Sequence, residues 1–272
     1  MGSRSNSVFS RLLILNGIAI IAVVAHHAID YSYIAMVWWA DRYRPVLVPN
    51  YDKLDTLFYS ILMVIGKLTI FAVPSFLFVS GVFATFMLRG GSDLVWKRVR
   101  PRVRGLLIPY VIWHLLYAVL RIIDVDNMGG ELTWYGFVRD VITGGRFWFL
   151  SLLCQLYLLS LALIWMAMHR EKLLLTVSAS LTICIVGLHY LKLAKLMSGA
   201  DTTLVDFLTT MPFGYMIRYP FFFVGGLICG LRLPEVTEWT HKHRWFLLGA
   251  TVLLAALAYL ESQIGYLNTE WY

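Results

Sequence analysis

The sequence predicts an all-α membrane protein that crosses the bilayer about seven times with its amino terminus in the cytoplasm. Of its 272 residues, 59% are hydrophobic and 14% are charged, whereas soluble proteins carry about 25% charged residues. Long apolar runs recur along the chain, and about 20 apolar residues in a helix cross the hydrocarbon core. The basic residues stand at the ends of these runs, which argues against nucleic acid as a partner.

Seven spans are expected within a single domain that covers residues 1–272. Their approximate bounds are 12–35, 70–88, 106–123, 147–168, 173–191, 219–231 and 245–260. The apolar segment 54–66 is interrupted by polar positions, so it either lies in the membrane interface or extends the second span. A short helix is expected near 134–141, within the polar connection 124–145.

The distribution of charge supports this layout. With the amino terminus inside, the cytoplasmic segments hold 13 basic and 4 acidic residues, and the other side holds 10 basic and 12 acidic residues. Cytoplasmic loops of membrane proteins carry an excess of Lys and Arg. We therefore expect the basic loop 89–105 in the cytoplasm and the connection 124–145 on the opposite side.

The cysteines and the other metal-binding residue types do not form a recognisable site. Cys154, Cys184 and Cys229 all lie within apolar runs, and no group of residues has the spacing of metal ligands. We expect the three thiols to stay reduced and no metal to be bound.

The first span carries ionisable side chains inside an apolar run, namely His26, His27 and Asp30. Ionisable groups at membrane depth are costly and usually mark function. His26 and Asp30 are four residues apart and share a helix face, so the carboxylate could orient an imidazole that accepts protons. The alternative is a polar cluster at headgroup level, with Asp30 in water.

Other polar side chains fall in or next to the later spans. A basic run precedes the third span and contains Lys97, Arg98, Arg100, Arg102 and Arg104. It either binds phosphate groups or acts as an ordinary topogenic signal in contact with anionic lipid. Residues that could line an internal cavity are Ser80, Tyr110, His114 and Trp148. The competing interpretations are a packing notch at Ser80 and Gly81, a hydrogen-bonded His114 and an interface anchor at Trp148.

Five stretches follow one another along the chain. They are RLLILNGIAIIAVVAHHA (11–28), VPSFLFVSGVFATF (73–86), KRVRPRVRGLLIPYVIWHLLY (97–117), GRFWFLSLLCQLYLLSLAL (145–163) and YPFFFVGGLICGLRL (219–233). In the third, a basic cluster runs into Ile-Pro-Tyr at the start of a helix, and this is the most specific feature. Taken in order, the five stretches resemble the membrane acyltransferase-3 family of bacterial integral membrane proteins.

Two features depart from the family pattern. The family commonly has an Arg eleven residues before the His of its first helix, whereas Leu15 and Asn16 stand eleven residues before His26 and His27. The family also generally has about ten spans. The sequence is therefore expected to be a truncated or degenerate member that lacks the last spans.

The resemblance implies transfer of an acyl group, acetyl above all, from acyl-coenzyme A to a hydroxyl of a glycan or lipid-linked acceptor at the bacterial inner membrane. His26 or His27 would be the general base, with Asp30 in support. The donor phosphates would be bound by Arg98, Arg100, Arg102 and Arg104. Two alternatives remain: a non-catalytic subunit of a larger membrane complex, and a glycan or lipid exporter.

Overall fold

The protein is described by a computed structural model over residues 2–42, 56–86, 92–123, 133–143, 145–199, 203–205 and 217–268. Within these ranges the regular elements are helices and no strand occurs, so the all-α prediction is confirmed. The helices are α1 (Gly2–Arg42), α2 (Thr56–Thr69), α3 (Ala72–Phe86), α4 (Ser92–Ile123), α5 (Trp134–Thr143), α6 (Trp148–His169), α7 (Glu171–Met197), α8 (Pro220–Leu231), α9 (Leu233–Lys242) and α10 (Arg244–Asn268).

In the described part of the chain, six helical stretches are long and apolar enough to cross a membrane. They are Val8–Ile29, Val64–Phe86, Lys97–Ile123, Trp148–His169, Glu171–Lys192 and Arg244–Glu261. The pair α8 and α9 meets the same criteria only as one broken span, which gives up to seven. Alone, the 12 residues of α8 extend only about 18 Å. The chain is a multi-pass membrane protein.

The expected helix over 54–66 is present as α2, and the interpretation as an extension of the second span fits better. The span Val64–Phe86 begins in α2 and continues through α3. A turn at Ile70 and Phe71 separates the two helices. Pro74 accounts for this turn, because it has no N–H to give to the carbonyl of Ile70 four residues earlier.

The expectation of a loop over 89–105 is wrong from Ser92 onward. Helix α4 begins at Ser92 and includes the whole basic run as well as Pro101 and Pro109. Arg and Lys are good helix formers, and a proline inside a helix removes one hydrogen bond and bends the axis. The sequence also predicts loops at 40–53 and 192–216, but α1 continues to Arg42 and α7 to Met197. Residues 43–53, 124–132 and 206–216 lie outside the described residues.

The chain divides into two compact units. Unit 1 comprises residues 1–76 and 234–272, and unit 2 comprises residues 77–233. In unit 1, α1 and α10 both pack against α2; in unit 2, α6 packs against α4, α7 and α8. The histidine pair of the first helix belongs to unit 1, and the basic run of α4 belongs to unit 2.

Within unit 2, α3 and α8 cross at glycines. A Cβ added at Gly81 would overlap the backbone of Phe223, and one added at Gly226 would overlap the backbone of Phe78. A Cβ at Gly230 would overlap the side chain of Thr85. From the crossing at Gly81 and Gly226, the contact continues to Thr85 and Gly230, which lie further along both helices, so the helices run parallel here. The packing notch expected at Gly81 is thus present, and Ser80 beside it is half-buried.

Candidate functional site

His26 lies on the face of α1 that packs against α2 and the start of α3. Ala19 and Ala22, on the same side of α1, form a buried cluster with Ala72 of α3. One helical turn further along α1, His26 reaches Thr69, the last residue of α2. Because partner positions fall as α1 positions rise, α1 is antiparallel to α2 and α3 here.

A chain of two hydrogen bonds fixes the chemical form of this imidazole. The hydroxyl of Thr69 donates to the carbonyl of Gly66 at 2.7 Å. A hydroxyl has a single hydrogen, so the same oxygen can only accept from His26 Nδ1, which lies 3.2 Å away. Nδ1 therefore carries a proton, and in the neutral ring the basic lone pair lies on Nε2.

The two adjacent histidines differ in their surroundings. His26 is half-buried and His27 is exposed, with their ring centroids 5.9 Å apart. Asp30 follows one turn later in α1, but its side chain lies outside the described residues. The structure thus provides Thr69 as an orienting partner for His26, where the sequence had suggested Asp30.

Several other histidines bond within their own helix instead. His114, His169, His189 and His243 each place Nδ1 within 3.0 Å of the carbonyl oxygen four residues earlier. This hydrogen bond gives one ring nitrogen a partner within the same helix and requires no second helix. The bond from His26 to a side chain on another helix therefore sets it apart from these four.

In unit 2, the residues at the start of α4 point in different directions. Val99 and Val103 are buried, whereas the five basic residues between 97 and 104 are exposed. At about 100° per residue, Arg98 and Arg102 lie on one flank of the buried stripe. Lys97, Arg100 and Arg104 lie on the other flank.

Arg102 has a defined position on its flank. Its Nη1 donates to the hydroxyl of Tyr157 on α6 at 3.3 Å. Its guanidinium carbon lies 5.9 Å from the ring centroid of Phe83 and 6.0 Å from that of Tyr157. Aromatic rings and a hydroxyl thus orient this cation.

Tyr110 and His114 lie on the buried stripe of α4. The Tyr110 hydroxyl donates to the carbonyl of Val141 on α5. His114 is enclosed by Tyr110 and Phe147, with ring centroids 4.2 Å and 5.0 Å away. Both side chains pack between helices, and this geometry supports the structural interpretation of His114.

The far end of α4 is joined to α5 by an ion pair. Nη1 of Arg121 lies 3.7 Å from Oδ2 of Asp140. Helix α5 is the short helix expected near 134–141, and its Trp134 and Tyr135 are exposed. Exposed aromatic residues of this kind suit the membrane–water interface.

Trp148 begins α6 and stacks on Tyr219, with ring centroids 5.4 Å apart and planes at 17°. Arg218 also lies over the Tyr219 ring, with its guanidinium carbon 5.4 Å from the ring centroid. Thr182 of α7 donates a hydrogen bond to the carbonyl of Arg218 at 3.0 Å. This stack joins three segments of unit 2 and explains the packing role of Trp148.

Sequence reasoning missed Thr69 and Tyr157, which orient His26 and Arg102. Each lies 43 or 55 positions from its partner, and neither stands in a charged or unusual pattern. A local signal for Thr69 does exist, because a hydroxyl residue stands at the helix break that Pro74 imposes.

Comparison with protein families agrees with the motifs. Residues 12–272 match the model of the acyltransferase-3 family, which is described as an acyltransferase domain. No curated protein and no solved structure matches the chain. The family match includes α1 with His26, the basic run of α4 and the glycine-rich α8. The chain therefore belongs to the acyltransferase-3 family.

Proposed function

We propose that the protein is an O-acyltransferase of a bacterial inner membrane. It would transfer an acyl group, acetyl above all, from acyl-coenzyme A to a hydroxyl of a glycan or lipid-linked acceptor. Family membership supports acyl transfer in general, and the donor, the acceptor and the membrane are part of the proposal. The observation that carries it is the orientation of His26 by Thr69.

A hydroxyl is a poor nucleophile until a base takes its proton as the bond forms. In the proposed reaction, His26 Nε2 accepts the proton of the acceptor hydroxyl while its oxygen attacks the thioester carbonyl carbon. The carbon–sulfur bond then breaks, and the coenzyme A sulfur leaves as a thiol with the proton returned by the imidazolium. The products are the ester and free coenzyme A, and His26 regains its starting form.

We assign the role of general base to His26 rather than to His27. His26 is half-buried and hydrogen-bonded across a helix contact, whereas His27 is exposed. A base needs a fixed orientation because small displacements from the reactive geometry slow a reaction strongly. Asp30 keeps a supporting electrostatic role.

In unit 2, Arg98 and Arg102 are the residues proposed to bind the phosphates of the donor. They share a face one turn apart, and Arg102 is already oriented by Tyr157 and Phe83. A guanidinium can donate two parallel hydrogen bonds to a phosphate. Arg100 and Arg104 lie on the other flank of α4 and are not given this role.

The experiment is acyl transfer from labelled acetyl-coenzyme A by the full chain in vesicles, with His26→Gln and His27→Gln as a matched pair. Glutamine keeps a hydrogen-bonding group of similar size but accepts no proton. We expect His26→Gln to lower kcat by about a hundred- to ten-thousand-fold, as for loss of a general base. His27→Gln should keep kcat within a few-fold of the unmodified protein.

Two results would contradict the proposal in different ways. Full activity in the His26→Gln, His27→Gln double variant would show that neither histidine takes part in the reaction. A folded, unmodified protein that transfers nothing across a panel of glycan and lipid-linked acceptors would favour the alternative of a non-catalytic subunit. Stable co-purification with other membrane proteins would then be the next observation to seek.

A further inference from the structure

The outward flank of α4 combines cations with a long apolar surface. Three basic residues, Lys97, Arg100 and Arg104, are exposed on one face of the helix. Their spacing of three and four residues places them above one another on that face. Among the described residues, no ion pair or ring contact involves Arg100 or Arg104. Arg102, in contrast, bonds to Tyr157 and lies near the Phe83 ring.

The same face continues as exposed apolar side chains to the end of the helix. These side chains are between 42% and 67% exposed and comprise Leu107, Ile108, Val111, Leu115, Val119 and Ile122. At 1.5 Å per residue, the distance from Arg104 to Ile122 is about 27 Å, close to the roughly 30 Å of a hydrocarbon core. Such a face is suited to lipid tails along its length and places its cations at headgroup depth.

We propose that Lys97, Arg100 and Arg104 form a binding surface for the headgroups of anionic phospholipids, with the lipid tails along the apolar continuation of the same face. The occupant follows from charge and from position together. A phospholipid whose tails lie along this exposed apolar face places its phosphate beside the cations at the end of the face. Basic residues just outside a span on the cytoplasmic side attract anionic lipid in this way.

The opposite flank provides an internal comparison. Arg98 and Arg102 carry the same two charges at the same depth, but Arg102 contacts Tyr157 and Phe83 of the protein. The two flanks therefore differ in surroundings rather than in charge. A nonspecific attraction between a basic helix and an anionic membrane would use both flanks equally.

The test is the lipid that remains bound to the purified full chain, measured by native mass spectrometry after equilibration with equal phosphatidylglycerol and phosphatidylcholine. Arg100→Gln, Arg104→Gln is compared with Arg98→Gln, Arg102→Gln, because both double variants remove two arginines. We expect the first pair to lower the preference for phosphatidylglycerol by about thirty-fold, at roughly 1 kcal/mol for each of the two basic residues. The second pair should change it by less than about two-fold.

Equal losses in both variants would overturn the proposal in favour of general charge attraction. Unchanged preference in both would overturn it outright. If coenzyme A displaces phosphatidylglycerol from the unmodified protein, and Arg100→Gln, Arg104→Gln abolishes coenzyme A binding, the surface belongs to a donor site instead. None of these readouts requires acyl transfer, so failure of this inference and failure of the proposed activity are distinguishable.

A measurement on folded protein remains even where the glutamine variants do not purify. Arg100→Lys, Arg104→Lys keeps both charges and should keep the preference. For the unmodified protein, the preference should fall as salt rises from about 0.1 M to about 1 M, since the screening length shrinks from about 10 Å to about 3 Å. A preference that salt does not weaken would contradict a surface made of exposed cations.

Discussion

Two helix contacts in this protein use small residues for different purposes. In unit 1, α1 meets α2 and α3 through Ala19, Ala22 and Ala72, and the contact includes the hydrogen bond from His26 to Thr69. In unit 2, α3 meets α8 through Gly81, Gly226 and Gly230. We refer to them as the histidine contact and the glycine contact.

The glycine contact brings main chains together so closely that no Cβ fits at Gly81 or Gly226. In a bilayer the hydrophobic effect does not drive helices together, so close van der Waals packing supplies much of the attraction. The histidine contact is spaced by methyl groups and leaves room for an imidazole. The difference indicates that the glycine contact provides close packing, whereas the histidine contact orients an imidazole.

The largest effect on stability is expected at the glycine contact. Gly226→Ala should lower the free energy of unfolding by about 1–3 kcal/mol or more, because the added methyl overlaps the backbone of Phe78. Gly225→Ala is the matched control, since nothing lies within 4 Å of its Cβ. Alanine there should be neutral or stabilising by up to about 1 kcal/mol through helix propensity.

Denaturation of the purified variants in detergent measures both changes. If Gly225→Ala and Gly226→Ala unfold at the same denaturant concentration, the close crossing of α3 and α8 is wrong. Activity per folded molecule should be similar in the two variants, because neither glycine belongs to the proposed base or the proposed donor-binding residues.

At the histidine contact we expect an effect on catalysis with little effect on stability. Thr69→Val keeps the shape of the side chain and removes the oxygen that accepts from His26 Nδ1. Loss of one hydrogen bond of about 1–1.5 kcal/mol should lower kcat by roughly ten-fold while KM for the donor stays the same. Thr69→Ser restores the hydroxyl and should restore kcat.

The acyl-transfer assay in vesicles separates this role from simple packing. If Thr69 served packing alone, Thr69→Ser, which loses the methyl group, would be at least as impaired as Thr69→Val, which keeps the shape of the side chain. Rescue by serine alone identifies the oxygen as the important group.

The smallest effect is expected for Asp30→Asn. It removes a charge four residues after His26 but leaves the bond to Thr69 in place. An ion pair of about 0.2–1 kcal/mol corresponds to a loss of about 1.4- to 5-fold in kcat. A loss larger than that of Thr69→Val in the same assay would return the orienting role to Asp30.

Much of the helical layout could be predicted because the bilayer imposes it. A chain without water to satisfy its backbone must form helices, and the length of each apolar run sets the span. The helix α5 and the notch at Gly81 were expected on similar local grounds. The prediction of a loop over 89–105 is wrong from Ser92 onward, because the charges indicated only a location outside the lipid core, which a helix can occupy as well as a loop can.

What the sequence by itself determined is the class of protein, the order of its spans and its family. These follow from apolar length, local spacing and motifs, which are properties of neighbouring residues. Only the tertiary structure decided that His26 meets Thr69 of another helix, and that Gly226 rather than Gly225 touches another helix. Each of these depends on how two distant helices are rotated against each other, and that rotation is fixed by packing between segments rather than by either segment alone.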